Sequence, residues 1–162
     1  MDNAYLLIGG NEGDRLVHLK EATERIAKYC GQIIRSSSLY ETAAWGKTNQ
    51  ASFLNQVIVI KCNLTAPQLM DMLLEIEGEM GRKRAEKYGP RKIDIDILFF
   101  GNEIWDLPQL KIPHPEIANR RFTLEPMNEI APTFLHPVLQ RTMSQLLAES
   151  TDMLDVKKFS TN

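Results

Sequence analysis

The chain has 162 residues, 43% of them hydrophobic and 25% charged, and a formal net charge of −2. This is the composition of one ordinary globular domain, large enough to bury about two-thirds of its unfolded surface. It excludes a protein drawn to nucleic acid or acidic membranes by overall charge, and no apolar run approaches the roughly 20 residues of a membrane span. In chain order, Met1 and Asp2 lead into a short strand-like run at 4–8, with no signal peptide before it. Gly9, Gly10 and Asn11 then read as a turn. Leu16, Leu19, Thr23, Ile26 and Cys30 recur at helical spacing, so a helix is expected over 15–30, ended by Gly31. Residues 33–41 read as a second strand, 42–52 as a loop, and the run FLNQVIVIKC at 53–62 as a third strand.

Thr65, Pro67 and Gln68 open a second helix with a capping box, and Leu69, Met70, Leu73, Ile76 and Met80 form its apolar stripe. A fourth strand is expected over 93–100. The order β-α-β-β-α-β predicts an α+β fold, a ferredoxin-like core at about 4–100. Residues 101–162, punctuated by six prolines, read as an extension of that single domain, with a helix near 119–129 and a short one capped by Thr142 with Gln145. The tail DVKKFSTN is expected to fray. Cys30 and Cys62 have no CxxC partner and no histidine at metal spacing, which suits a reducing cytosol. The expectation is a cytoplasmic monomer that engages neither membrane nor nucleic acid.

The stretch 81–101, GRKRAEKYGPRKIDIDILFFG, carries the chemistry. Five cations (Arg82, Lys83, Arg84, Lys87 and Arg91) precede a strand in which Asp94 and Asp96 point the same way, their Cα atoms about 6.5–7 Å apart. Ile93, Ile95 and Ile97 would face the core, while Leu98 and Phe100 continue the aspartate face. Hard Mg²⁺ favours one or two carboxylates plus phosphate oxygens, and arginines present planar donors to phosphate. Two ions at Asp94 and Asp96 could neutralise charge as a P–O bond breaks. The turn Tyr88-Gly89-Pro90 would aim Arg91, and 82–91 would form an arm that closes over a polyphosphate.

Glu77 falls inside the apolar stripe of the second helix. It either snorkels at the domain edge or pairs with a cation, Arg82 or Arg91. Phe53 and Asn55 share a strand face, an aromatic and an amide suited to a flat heterocycle. His114 sits between prolines, shortly before Arg120 and Phe122. His18 and His136 lack such company and read as structural.

IGGN at 8–11, FLN at 53–55, the long run at 81–98 and PHPEIANRRF at 113–122 together resemble the 6-hydroxymethyl-7,8-dihydropterin pyrophosphokinases of folate biosynthesis. The resemblance covers nearly the whole chain. It implies pyrophosphoryl transfer from ATP to the pterin hydroxymethyl oxygen, with two Mg²⁺ on Asp94 and Asp96 and with Arg82 and Arg91 as catalytic cations. It implies that Glu77, Arg84, Ile97, His114 and Arg120 serve ATP. Phe53 and Phe122 would sandwich the pterin and Asn55 would read its edge, with Thr42, Ala43, Trp45 and Tyr88 flanking. Phe53 stands where Tyr also occurs, Tyr88 where Trp is frequent, and Ala43-Ala44-Trp45 where the family carries a proline. Two rivals share the same plan. A nucleotidyltransferase would use the paired aspartates at an α-phosphorus, and an RNA-binding module would need a basic sheet face, which Asp94 and Asp96 oppose.

Overall fold

A computed structural model describes residues 2–43, 51–81 and 92–160. Its long strands are β1 (Asn3–Gly10), β2 (Gly31–Ser36), β4 (Phe53–Cys62) and β5 (Asp94–Phe100), with the short β3 (Tyr40–Thr42) before β4. The helices α1 (Arg15–Tyr29) and α2 (Ala66–Glu79) follow β1 and β4. Beyond β5 come the hairpin β6 (Trp105–Leu107) and β7 (Leu110–Ile112), helices α3 (Arg121–Ile130) and α4 (Met143–Glu149), and the strand β8 (Val156–Lys158).

Local signals account for the starts of three of the four α-helices among the described residues. Asp14 caps α1 by accepting the Val17 N–H, and capping boxes open α2 (Thr65 with Gln68) and α4 (Thr142 with Gln145). Helix α1 stops one residue early, at Tyr29, and Gly31 begins β2 instead of completing the helix. A side chain there would meet the Lys61 carbonyl oxygen at 2.1 Å, so the close approach of β2 to β4 requires glycine.

The strands run in the order β5-β1-β4-β3-β8, with β2 also on β4, and every pairing is antiparallel. One face buries Ala4, Leu6, Ile8, Leu54, Ile58 and Ile60 against Leu19, Ala22 and Ile26 of α1 and Leu69, Leu73 and Ile76 of α2. The other packs Leu7, Val57, Leu98 and Phe99 against Leu124 and Met127 of α3 and Met143 and Leu146 of α4. The C-terminal residues therefore cover the second face of the same sheet. Among the described residues, no helix is long and apolar enough to cross a membrane.

Four expectations need correction. The second strand is two segments. Ser37 lends its hydroxyl to the Val57 N–H, the pairing slips between Ile33 and Arg35, and β3 resumes after the break. Gly9 and Gly10 belong to β1 and pair with β4, so they make no turn. The aspartate face does not continue to Phe100. The β1–β5 register shifts between Tyr5 and Leu6, which pair with Phe99 and Ile97, leaving Leu98 as an extra residue. Leu98 and Phe99 then pack with the α3/α4 side, and Phe100 joins the α1/α2 core. Finally, 156–158 do not fray: they pair with β3.

The bulge builds an aromatic cluster in which Phe99 meets Phe134 at 4.6 Å and His136 edge-on at 5.5 Å. His136 is buried, and its Nδ1 accepts the Val138 and Leu139 N–H groups. Burial pushes its pKa below the ordinary histidine value. The unfolded chain therefore binds this proton more readily than the folded one. The stabilisation is complete above about pH 6.5 and drains away as pH falls toward the lowered folded value. Thermal midpoints should fall between pH 7 and 5, and His136→Gln should flatten part of that slope. An unchanged slope would deny His136 this role.

Candidate functional site

The open end of the second sheet face forms a cleft lined by Leu7, Gly9, Thr42, Ala43, Phe53, Asn55, Asp94, Asp96, Arg120 and Phe122. Residues directly opposite in antiparallel strands share a face, so the register explains the composition. Tyr40 lies opposite Asn55, Asn55 opposite Gly9, and Gly9 opposite Asp94, giving one transverse row across four strands. Leu7 pairs with Asp96 one step along, and Thr42 with Phe53 at the other flank. Asn55 and Asp94 thus stand two strand spacings apart, about 10 Å.

Gly9 keeps that row passable. A β-carbon there would sit 1.9 Å from Asn55 Oδ1 and 2.9 Å from the Leu54 carbonyl oxygen. The Asn55 amide, 6% exposed, therefore lies over the glycine backbone. Next along the chain, Asn11 Nδ2 donates to the Ala51 carbonyl (2.9 Å), and Arg15 Nη1 donates to Glu41 Oε2 (2.7 Å) and the Ser52 carbonyl (3.0 Å). Gly9, Asn11 and Arg15 were not singled out from sequence as site residues. The pointer was the motif IGGN itself, whose glycine is explained only by a partner strand.

Asp94 and Asp96 are half-buried on one strand face, as expected. Their hard oxygen donors, side by side in a cleft that also holds Arg120, fit Mg²⁺ completed by phosphate oxygens and water. Between them, the N–H of Ile95 donates to Oε2 of Glu77 at 2.7 Å. Glu77 is 3% exposed, so it does not snorkel, and it braces the edge strand from α2. The Ile97 side chain is buried in the α1/α2 core, which leaves only its backbone for any ligand.

His114 is seated by its backbone N–H on the Leu98 carbonyl (3.0 Å). Its Nδ1 accepts the Glu116 N–H at 3.1 Å, so the neutral ring carries its proton on Nε2. Burial first, then the Arg120 guanidinium, hold its pKa below the usual histidine value against the opposing pull of Glu116 and Asp94. His114 is accordingly a neutral donor at pH 7. The Arg120 guanidinium stacks over the Phe122 ring, 5.5 Å from its centroid. Thr42 is buried and its hydroxyl donates to the Asp155 carbonyl (3.3 Å). The structure thus brings together Thr42, Ala43, Phe53, Asn55, Asp94, Asp96, Arg120 and Phe122. Trp45, Arg82, Arg84, Tyr88 and Arg91, with the expected arm, lie outside the described residues.

Residues 5–132 match the family model described as 7,8-dihydro-6-hydroxymethylpterin-pyrophosphokinase (HPPK). The chain belongs to that family. A 2-amino-4-hydroxy-6-hydroxymethyldihydropteridine pyrophosphokinase of Aquifex aeolicus is 38% identical over 151 residues, covering 93% of this chain and 94% of that protein. Its Bacillus subtilis counterpart is 39% identical over 128 residues, 78% of this chain and 77% of that one. Among solved structures, Plasmodium falciparum HPPK-DHPS crystallised with pteroate superposes with a TM-score of 0.73 at 20% identity, over 91% of this chain. The chain spans 42% of the length of that structure, and the likeness speaks to fold alone.

Replacing Gly9 by Ala should displace Asn55 and cost about 1–3 kcal/mol, the usual range for overpacking. Urea unfolding checks the cost. In an Asn55→Ala background the same change should cost less, since the 1.9 Å clash with Asn55 Oδ1 is gone. Equal costs in both backgrounds would show that Gly9 does not serve Asn55.

Proposed function

We propose that the protein transfers the pyrophosphoryl group of ATP to the hydroxymethyl oxygen of 6-hydroxymethyl-7,8-dihydropterin, giving the pterin diphosphate and AMP in folate biosynthesis. Family membership carries the reaction. The observation in this fold that supports it best is the transverse row, with an amide suited to a flat heterocycle and a carboxylate pair suited to Mg²⁺ two strands apart across Gly9. An acceptor ring held between Phe53 and Phe122, with Asn55 reading its edge, would present its hydroxymethyl arm toward Asp94.

The transfer is an in-line attack on the β-phosphorus, with charge gathering on phosphate oxygens, so positioning and electrostatics dominate. Asp94 and Asp96 would hold two Mg²⁺, which neutralise that charge when bound. Neutral His114 would donate from Nε2 to phosphate oxygens, and Arg120 would add a fixed positive charge. Glu77 would act on the ATP side through β5, and Ile97 through its backbone. From sequence alone, Arg82 and Arg91 are assigned to the transferring phosphates, Arg84 to ATP, and Trp45 and Tyr88, beside Thr42 and Ala43, to the pterin rim.

We also read the chain as one domain built on a ferredoxin-like core. The order β5-β1-β4-β2 with α1 and α2 on one face supports this. It is assigned to the cytosol as a monomer acting on ATP and the pterin, with no nucleic-acid or membrane partner.

Incubation with ATP, Mg²⁺ and the hydroxymethyl-dihydropterin should release AMP in step with pterin diphosphate. Free pyrophosphate instead would indicate nucleotidyl transfer to the same acceptor. Asp96→Ala should lower kcat by about a hundredfold or more while leaving the thermal midpoint within a few degrees, since it removes a charge stabiliser from a half-buried cleft position. Full turnover in that variant would rule out a metal role for the pair.

A further inference from the structure

The residues after 132 lie beyond the stretch matched by the family model, yet part of them touches both walls of the cleft. Helix α3 starts at Arg121 with Arg120 as its N-cap, and Arg120 makes no side-chain capping bond. The cap comes from elsewhere. Asp152 Oδ2 accepts the Arg121 N–H at 2.9 Å, placing a carboxylate at the positive end of the helix. That carboxylate is itself held, because Asp152 Oδ1 accepts the Leu154 N–H (3.0 Å) and Ser150 Oγ accepts the Asp152 N–H (3.2 Å). The residues on either side of Arg121 are Arg120 and Phe122, which line the cleft.

Three residues beyond Asp152, the chain reaches the opposite wall. The Asp155 carbonyl accepts the Thr42 hydroxyl, Val156 pairs with Thr42, and the Phe159 N–H donates to the Leu39 carbonyl at 2.8 Å. The Arg15 guanidinium lies over the Phe159 ring, 5.5 Å from its centroid, while it binds Glu41 and the Ser52 carbonyl. The far end of α3 is tied to the sheet separately, by Glu129 accepting from Tyr40 Oη (2.6 Å) and Ser38 Oγ (2.9 Å). Residues 152–159 fasten the near end, where Phe122 lines the same cleft as Phe53.

We propose that the C-terminal segment 152–159 is a positioning element of the acceptor pocket, with Asp152 as its positioning residue. It sets the gap between Phe122 on α3 and Thr42 and Phe53 on the sheet, into which the flat ring fits. This rests on the pterin reading above. Its bonds reach Thr42 and the Arg121 amide between Arg120 and Phe122. Arg120 would reach phosphate through a long side chain that can re-aim, so loss of the segment should weaken acceptor binding more than ATP binding or chemistry.

The test uses the full chain with Asp152→Ala and Asp152→Asn, assayed for AMP formation with each substrate varied. Asp152→Ala should raise the KM for the pterin roughly five- to tenfold, about what loss of one helix cap yields when it is passed into binding. The KM for ATP and kcat should stay within about twofold. Asp152→Asn, which keeps the acceptor oxygen, should restore most of the pterin KM. Hydrogen exchange at the Arg121 amide should accelerate in the alanine variant and recover in the asparagine variant. Faster exchange with an unchanged pterin KM would overturn the proposal and leave Asp152 a stability cap. A parallel rise in both KM values would overturn it too. Wild-type turnover, measured first, judges the reaction itself, so an inactive wild type and an unaffected variant cannot be confused.

Discussion

Everything at the cleft depends on the register of one antiparallel sheet. Opposite residues must share a face and strands must lie about 4.8 Å apart, so pairing Asn55 with Gly9 and Gly9 with Asp94 sets the distance between the Asn55 amide and the acid pair. A one-residue slip would send every one of these side chains to the α1/α2 core. The slip is prevented from the buried side, where Ala4, Leu6, Ile8, Leu54, Ile58 and Ile60 all turn toward the helices. The hydrophobic core thus acts as the ruler for the chemistry on the far face.

The edge strand β5 needs separate support, since β1 bonds it on only one side. Glu77 and His114 supply it. The Glu77 carboxylate takes the Ile95 N–H between the two aspartates, and the His114 backbone N–H meets the carbonyl of the bulged Leu98. The bulge carries a double consequence. It ends the aspartate face, and it turns both Leu98 and Phe99 into the α3/α4 layer, anchoring the C-terminal half on the same face as the acids. A strand without it would have put Phe100 beneath that layer and Phe99 beneath α2.

The second wall is assembled from remote pieces. Bonds between Asn11 and Ala51, Arg121 and Asp152, and Thr42 and Asp155 span 40, 31 and 113 residues. Each joins two segments that flank the cleft. Individually such bonds contribute only about 0.5–1.5 kcal/mol, or somewhat more with a charged partner. Together they fix the gap between the two walls of the cleft.

The division between sequence and structure follows the range of the interactions involved. Capping boxes at Thr65 and Thr142, the alternation that puts Asp94 and Asp96 on one face, and the α1 and α2 stripes depend on neighbours within about four residues, and all were legible. The composition of the cleft was legible in part, because Phe53, Asn55, Arg120 and Phe122 carry their chemistry in their side chains. Gly9 and Asp152 were not. A glycine has no side chain to announce its purpose, and an aspartate in a polar tail looks solvated until its distant helix is in place. The acid pair with which the sequence stood out is therefore a local fact. What faces it, at what distance and behind which wall, was decided by pairings between residues far apart in the chain, whose partners no local pattern names.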